Sequence, residues 1–459
     1  MVTLLFLSLL LLSGVVALVD WRRGWYFAIL CGVLQDPARK LTEGSPVVMT
    51  FSIVLIYMLV LISARPLLPR AIRDIARRMA ALYLAGGLVA LALLLGAANG
   101  LMTFGLKYWQ IPALSLIVYT IPVPAALLGY LSLGEDEKLV KLFTFYAVIT
   151  SISLIGVLLE YKGVSSRALG LVGLNSVTIR YMPGIEIRML SGFYRAPDVM
   201  GWHAAMLTIV GMAMALRQRS ITRVWPWMLV SAWGFTSCIL SGRRKAIYMV
   251  AVFALAFVWR YARRLNATQI ASFVCVALAI GLVLHKAASS EESGVYVRGA
   301  ATTSDEIFAR LEGGISGTIE QVGVIGAGLG SATQGTYHLA GSATTGFGWQ
   351  EGGLGKLAME VGVPGVIVVG LFVFALIRLM LAISRAPDEP GTSQIMRATL
   401  FGIAAANITN FLVSAQAYSD PLLTLLSAYL VGALLGSAAL NDQPAPAAEI
   451  TPSPLPARA

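Results

Sequence analysis

Charge is scarce in this sequence. Of 459 residues only 12% are charged, about half the 25% typical of a soluble domain. That shortage excludes water as the solvent for most of the chain. Histidine and cysteine are rarer still, three of each. Cys31, Cys238 and Cys275 lie in apolar runs with no metal-type spacing, which argues against a disulfide framework or a zinc site and for small buried hydrophobes. There is no Asp-x-Asp pattern for a metal-bound sugar nucleotide, no Walker loop and no zinc spacing, so no cofactor is expected. No internal repeat stands out, and the interrupted-helix pairs of many transporters are not visible.

What is abundant is apolar. The chain is 57% hydrophobic, with a mean hydropathy of +0.77. Its apolar runs are continuous rather than alternating and approach the roughly 20 residues that a crossing helix needs. Lipid forces backbone groups to be satisfied internally, so the expectation is an all-α, polytopic transmembrane bundle of about 12–13 spans. The spans fall near 2–19, 24–36, 46–63, 79–98, 110–131, 139–159, 199–216, 224–241, 246–260, 269–285, 354–378, 397–416 and 420–439. The second stops early at Gln35-Asp36-Pro37 and reads as a short, interfacial or re-entrant piece. The N-terminus has no basic n-region and reads as a first span rather than a cleaved signal.

Basic residues orient the bundle. Arg65, Arg70, Arg73, Arg77 and Arg78 fill one short loop. Arg217, Arg219 and Arg223 fill another, Arg260, Arg263 and Arg264 a third, and Arg378, Arg385 and Arg397 a fourth. All four fall on one side, expected to be the cytoplasm of a bacterial inner membrane. The net charge of +11 is thus a set of topology signals and contacts to anionic lipid, with no nucleic-acid partner. Residues 65–78 interleave Leu67, Leu68, Ile72 and Ile75 with arginines, as a surface-lying amphipathic segment does. Glu135-Asp136-Glu137 reads as a solvated cytoplasmic turn.

The organisation is therefore N-terminal helices over 1–159, a periplasmic loop at 160–198 and central helices over 199–285. A large periplasmic loop at 286–353, C-terminal helices over 354–440 and a disordered Pro- and Ala-rich tail at 441–459 complete it. The large loop is expected to be partly helical, with Ser304 capping a helix whose first turn carries Asp305 and Glu306.

Cations on the outer side run against the orientation rule. Segment 160–198 holds Lys162, Arg167, Arg180, Arg188 and Arg195; the turn at 241–245 reads Ser241-Gly242-Arg243-Arg244-Lys245. Three adjacent cations at a membrane boundary are costly unless an anion neutralises them. Snorkelling to lipid phosphates is one reading. A bound diphosphate is the other, and suits arginine's planar fork. Gly326-Ala327-Gly328-Leu329-Gly330 offers backbone N–H groups that can approach phosphate, or simply tight turns. His338 reads either as an inert surface histidine or, by the ordinary chemistry of an imidazole, as a proton acceptor. Glu351 stands just before a span, a partly desolvated setting for a carboxylate. His203, inside a span, reads as a hydrogen-bonded packing residue.

Arranged in order, four of these features resemble the O-antigen ligase and O-antigen polymerase superfamily, membrane glycosyltransferases that use sugars on undecaprenyl diphosphate. They are Arg188-Met189-Leu190-Ser191-Gly192-Phe193 with Ala196-Pro197-Asp198; Ser241-Gly242-Arg243-Arg244; the glycine-rich 326–330; and Glu360-Val361-Gly362-Val363-Pro364-Gly365. The resemblance covers roughly residues 180–380. It implies inverting, metal-independent transfer at the periplasmic face, from a lipid-linked oligosaccharide donor to a saccharide acceptor, with polysaccharide-assembly proteins as partners. Arg244 and Arg188 would stabilise the diphosphate, with Arg195, Arg243, Lys245, Arg180, Gly328 and Gly330 lining its site. The span at 199–216 would help wall a groove for the polyprenyl tail. One departure matters. The family carries histidine nine residues before the last motif's glutamate; here that position is Glu351, and His338 lies thirteen residues further upstream. Either Glu351 is the base, or His338 reaches the site, or the ligases' catalysis is lost; Glu351 is favoured. A polymerase is preferred to a ligase for the same reason. A glycolipid or anion transporter and a non-catalytic assembly subunit are the alternatives.

Overall fold

The computed structural model describes residues 2–132, 134–172, 179–182, 185–218, 220–265, 267–289, 294–297, 305–333, 350–386 and 392–438. Among these residues the protein is helical apart from one two-stranded hairpin. Eight segments are long and apolar enough to cross a bilayer, and the chain is a multi-pass membrane protein.

The chain begins with α1 (Val2–Val19), α2 (Trp21–Leu41) and α3 (Ser52–Ala64). Asp20 separates the first two by accepting the Arg22 N–H at 2.9 Å, an N-cap. The second helix is longer than the apolar piece expected at 24–36. α2 runs 21 residues through Pro37, with Asp36 buried against a cation instead of ending the helix in water, although it is not among the eight segments apolar enough to cross. Next comes α4 (Leu68–Arg78), which buries Ala71 and leaves Arg70, Arg73 and Arg77 exposed, as its amphipathic pattern requires. It is followed by α5 (Ala80–Phe104). The expected span at 110–131 is two helices, α6 (Gln110–Thr120) and α7 (Pro122–Leu131), because Pro122 lacks the N–H to continue the ladder.

The middle of the chain holds α8 (Asp136–Tyr161), the hairpin strands β1 (Ile179–Met182) and β2 (Ile185–Arg188), α9 (Pro197–Arg217), α10 (Ile221–Leu240), α11 (Arg244–Tyr261) and α12 (Ala267–Ser289). The strands are antiparallel, with Ile179 opposite Arg188. α9 is the axis of the bundle. Its membrane-length window is completely buried, enclosed by α8, α10, α11 and α12. It therefore walls no lipid-facing groove, contrary to the expectation for 199–216. Inside it, His203 receives or gives a hydrogen bond with Tyr146 through Nδ1 (2.8 Å) and stacks on Tyr194. This is the packing role expected of it.

The C-terminal third contains α13 (Asp305–Val322), α14 (Gly353–Arg385), α15 (Gln394–Val413) and α16 (Pro421–Ser437). α13 begins at the expected acidic pair; Ser304 lies outside the described residues. α14 breaks at Gly362, whose φ of 69° an L side chain resists. Segment 324–333 inserts at the break. There Val363 N–H donates to Val324 O (2.8 Å), Ala327 N–H to Met359 O (2.7 Å) and Leu329 N–H to Gly96 O (2.8 Å). Irregular backbone survives at membrane depth only when protein satisfies it in this way.

Ion pairs and hydrogen bonds sort the loops into two ends. At one, Arg217 Nη2 meets Asp136 Oδ2 (3.4 Å), Ser393 N–H donates to Asp136 Oδ1 (2.9 Å), and Arg260 Nε donates to Ser384 Oγ (2.9 Å). Asp136 thus fastens two loops together, where a merely solvated face was expected. At the other end Lys40, Arg195, Arg243 and Glu351 are engaged as described below. The grouping agrees with the alternation of the basic loops.

The helix pair α7 on α16 is built on glycine. A Cβ on Gly432 would lie 1.9 Å from Ala126 O, and one on Gly436 would lie 2.3 Å from Tyr130 O. Small residues four apart let two helix backbones touch where lipid supplies no hydrophobic drive. Gly432→Val should cost about 3 kcal/mol or more, read as loss of monodisperse protein after detergent extraction. Gly87→Val, at a position with no neighbour within 4 Å, should behave as wild type.

Candidate functional site

Two cation-bearing segments meet at one corner. Gly242, at φ +65°, has room for no Cβ: such an atom would lie 2.9 Å from Met189 Cγ and 3.1 Å from Ile187 Cγ2. Leu190 N–H also donates to Leu240 O at 3.4 Å. The strand end carrying Arg188 therefore lies directly on the turn carrying Arg243, Arg244 and Lys245. Tyr296 O–H adds a third segment, donating to Arg188 O at 2.5 Å. The Arg188 side chain is exposed, while Arg244 is 8% exposed at the start of α11.

Asp198 organises the cations. It sits in the first turn of α9, where helix N–H dipoles favour a negative charge. Its Oδ2 receives Arg243 Nη2 at 2.8 Å, and its Oδ1 pairs with Lys245 Nζ. Lys245 Nζ also donates to Ser414 Oγ at 2.7 Å. The turn is held by Ser241 Oγ, which accepts the Arg243 N–H at 3.0 Å. Residues two apart on one strand of chain thereby converge on a single carboxylate.

Glu351 arrives from the far side. Its carbonyl accepts the Ala415 N–H at 2.9 Å, next to Ser414, and its carboxylate is within electrostatic reach of Lys245. It is half-buried. A base candidate thus shares one corner with Asp198 and with Arg188, Arg243, Arg244 and Lys245. Beside them, a shallow apolar cleft between α11 and α15 runs down from Lys245 past Tyr248, Met249 and Val252, with Asn410 and Val413 opposite.

Compared with known proteins, the chain matches no family model and no curated protein. The site is read from its own geometry.

Other expected residues are placed elsewhere. Arg195 is half-buried between two carboxylates, with Nη1 2.8 Å from Asp420 Oδ2 and 3.5 Å from Asp36 Oδ1; its N–H also donates to Asp36 Oδ2 at 3.0 Å. It ties the α9 approach to α2 and α16, and both of its partners are protein. Burial works against its charge, and Asp420 and Asp36 more than offset that, so its pKa lies above the ordinary arginine value. Arg180 stands in β1 opposite Ile187. The glycine-rich segment does not open towards the cations. Gly330 N–H donates to Glu360 Oε1 (3.1 Å), joined by Thr333 Oγ1 (2.6 Å), while Tyr119 O–H donates to Oε2 (2.5 Å). Gly328 lies against the α5 backbone at Gly100. These donors serve an internal carboxylate with no solvent exposure, which would be prohibitively costly without them. His338 lies outside the described residues.

Sequence reasoning missed Asp198 as the organiser, and missed Lys40 and Glu160. Lys40 Nζ donates to Gly192 O (2.8 Å) and Tyr194 O (2.6 Å), and Glu160 Oε2 accepts Ser191 and Gly192 N–H at 3.0 and 2.6 Å. A signal existed for Asp198: a lone acid directly after a helix-opening proline on the side where cations cluster. Lys40 and Glu160 gave none, since neither lies near segment 190–195 in the chain.

Removing the shared anion should strand two cations. Asp198→Ala is expected to cost about 3 kcal/mol by the usual penalty for halving a buried pair, measured by thermal unfolding in detergent, with Asp198→Asn costing less. Asp420 sets a pH dependence. Burial first, offset in part by Arg195 and reinforced by Asp36, pushes its pKa up to about 6, against about 3.9 in an unfolded chain. The folded state therefore binds the extra proton between about pH 4 and 6, and this group's contribution to stability falls as pH rises through that window. Melting profiles from pH 4.5 to 8 should show that slope in wild type and lose it in Asp420→Asn.

Proposed function

We propose that the protein is an inverting, metal-independent membrane glycosyltransferase that polymerises or transfers a saccharide carried on polyprenyl diphosphate. One observation carries the reading: the Arg188 strand end lies on the Arg243–Lys245 turn, with Glu351 within electrostatic reach of Lys245. Cations gathered at a membrane boundary suit a leaving group that gains charge as its bond breaks, and a carboxylate beside them suits the accompanying proton transfer.

In this mechanism an acceptor hydroxyl attacks the anomeric carbon from the face opposite the diphosphate. The new C–O bond forms as the bond from the anomeric carbon to the diphosphate oxygen breaks, and configuration inverts. Glu351 takes the hydroxyl proton; His338 is the alternative acceptor. Arg188 and Arg244, assisted by Arg243 and Lys245, receive the departing diphosphate. To admit it, Arg243 and Lys245 exchange part of their hold on Asp198 for phosphate oxygens. The cleft below Lys245 leads away from these cations along apolar side chains, the direction a polyprenyl tail requires. Polymerase is preferred to ligase because the position at which the resembling family carries histidine is Glu351.

The surrounding membrane is assigned as a bacterial inner membrane by the same reading, with the Arg188 corner facing the periplasm. Polysaccharide-assembly proteins are the expected partners.

Glu351→Gln should abolish polymer formation while lipid-linked donor accumulates and membrane levels of the protein stay normal. Loss of a positioned base lowers rate by about 10²–10⁴, enough to register in a cell-based polymer assay. His338→Ala should give a milder loss, and Arg244→Ala a severe one. An active Glu351→Gln with a dead His338→Ala would make histidine the base. Normal polymer from all three variants would remove the enzyme reading and leave transport or assembly in its place.

A further inference from the structure

At the end of the bundle opposite Arg195, a second group of arginines converges from three parts of the chain. Arg260 closes α11, Arg264 ends the short turn that follows it, Arg385 ends α14 and Arg397 lies in the first turns of α15. Arg260 is fixed in place. Its Nε donates to Ser384 Oγ at 2.9 Å and its Nη2 donates to Ser384 O. Among the described residues, the charged groups that act on Arg260 are the other three arginines. No ion pair among the described residues involves Arg260, Arg264 or Arg385. Loop charges that only signal orientation have no reason to converge, since mutual repulsion drives them apart in water.

The helix face leading to this corner is apolar and turned outward. Trp259 is 63% exposed and Leu255, one turn earlier, is 71% exposed. The Trp259 ring is braced against Phe401 at 6.3 Å between centroids. A tryptophan held at this level, beside arginines, is the pattern of a side chain at the boundary between acyl chains and headgroups. The positive-inside rule places the corner in the leaflet that carries anionic lipid.

We infer that this corner is a binding site for one anionic phospholipid. Its phosphate headgroup lies among Arg260, Arg264 and Arg385, above the buried Arg397, and an acyl chain runs along Leu255 and Trp259 of α11. Guanidinium forks pair phosphate oxygens two at a time, and a bound headgroup supplies the negative charge that, among the described residues, no ion pair brings to Arg260, Arg264 or Arg385. The site would couple α11 to α14 and α15, so its occupancy would stabilise the packing of all three. This inference is independent of the glycosyl-transfer reading.

The test uses the purified full-length chain in neutral detergent, titrated with phosphatidylglycerol or phosphatidylcholine, reading the melting temperature and the lipid retained in native mass spectra. Wild type should be stabilised by phosphatidylglycerol and not by phosphatidylcholine. The R264Q/R385Q variant changes two exposed residues and should fold normally while binding phosphatidylglycerol about thirtyfold more weakly, from the usual value of a surface cation near anionic lipid. Trp259→Ala should also weaken retention, through the chain rather than the headgroup. R73Q/R77Q, which removes two equally exposed arginines from α4, should bind as wild type. Inorganic phosphate at the same concentration should neither stabilise nor compete. Equal binding by R264Q/R385Q and wild type would overturn the site. So would equal weakening by R73Q/R77Q, which would mean general charge, or competition by inorganic phosphate, which would mean a free-anion site.

Discussion

The structure depends on neutralising charge where water is absent. Around the start of α9, Arg39, Lys40 and Arg195 stand among Asp36, Glu160 and Asp420, and the charges of these six groups cancel. Arg195 spans Asp36 of α2 and Asp420 at the head of α16; Lys40 and Glu160 grip segment 190–195 through its backbone. Such a network is not an efficient source of stability, since apolar side chains of equal volume often do as well. Its effect here is geometric. It holds an irregular segment of chain against three helices, and that segment determines where Arg188 and Asp198 lie.

From that anchor the candidate site follows. With residues 187–190 held in place, the turn at 240–242 can approach only because position 242 carries no side chain. Asp198, at the first turn of α9, then meets Arg243 and Lys245 together. The carboxylate keeps Arg243 and Lys245 aligned and partly neutralised, which eases the placing of adjacent positive charges at this turn. A second buried carboxylate, Glu360, does comparable work at the break in α14, where it gathers Tyr119, Thr333 and the backbone of Gly330. The two acids divide the loops: one organises cations, the other takes the N–H at the end of the glycine-rich segment.

Much of the architecture was legible beforehand because its cause is local. A run of Leu, Val and Ala such as residues 2–19 forms a helix in lipid whatever surrounds it. The arginines of 65–78 alternate with apolar residues at helical spacing, and α4 has the exposure that this spacing dictates. Errors came where a distant partner changed the meaning of a residue. Asp36 reads as the end of a helix until Arg195 is seen beside it. Residues 326–330 offer a phosphate loop or tight turns until the Gly330 N–H is seen on Glu360 and the Ala327 and Leu329 N–H groups on backbone carbonyls. Arg195 reads as a ligand for diphosphate until Asp36 and Asp420 enclose it.

The sequence by itself determined that this is a multi-pass helical membrane protein, because length and hydropathy act within each segment and need no partner. It also marked which cations break the alternation of the basic loops, because that alternation is a count along the chain. Only the tertiary structure decided which charges are consumed by the fold and which share the candidate site. Buried charges must find opposite charges in space, and segments 150 or more residues apart, as Lys40 is from Gly192, leave no trace of that pairing in the order of residues.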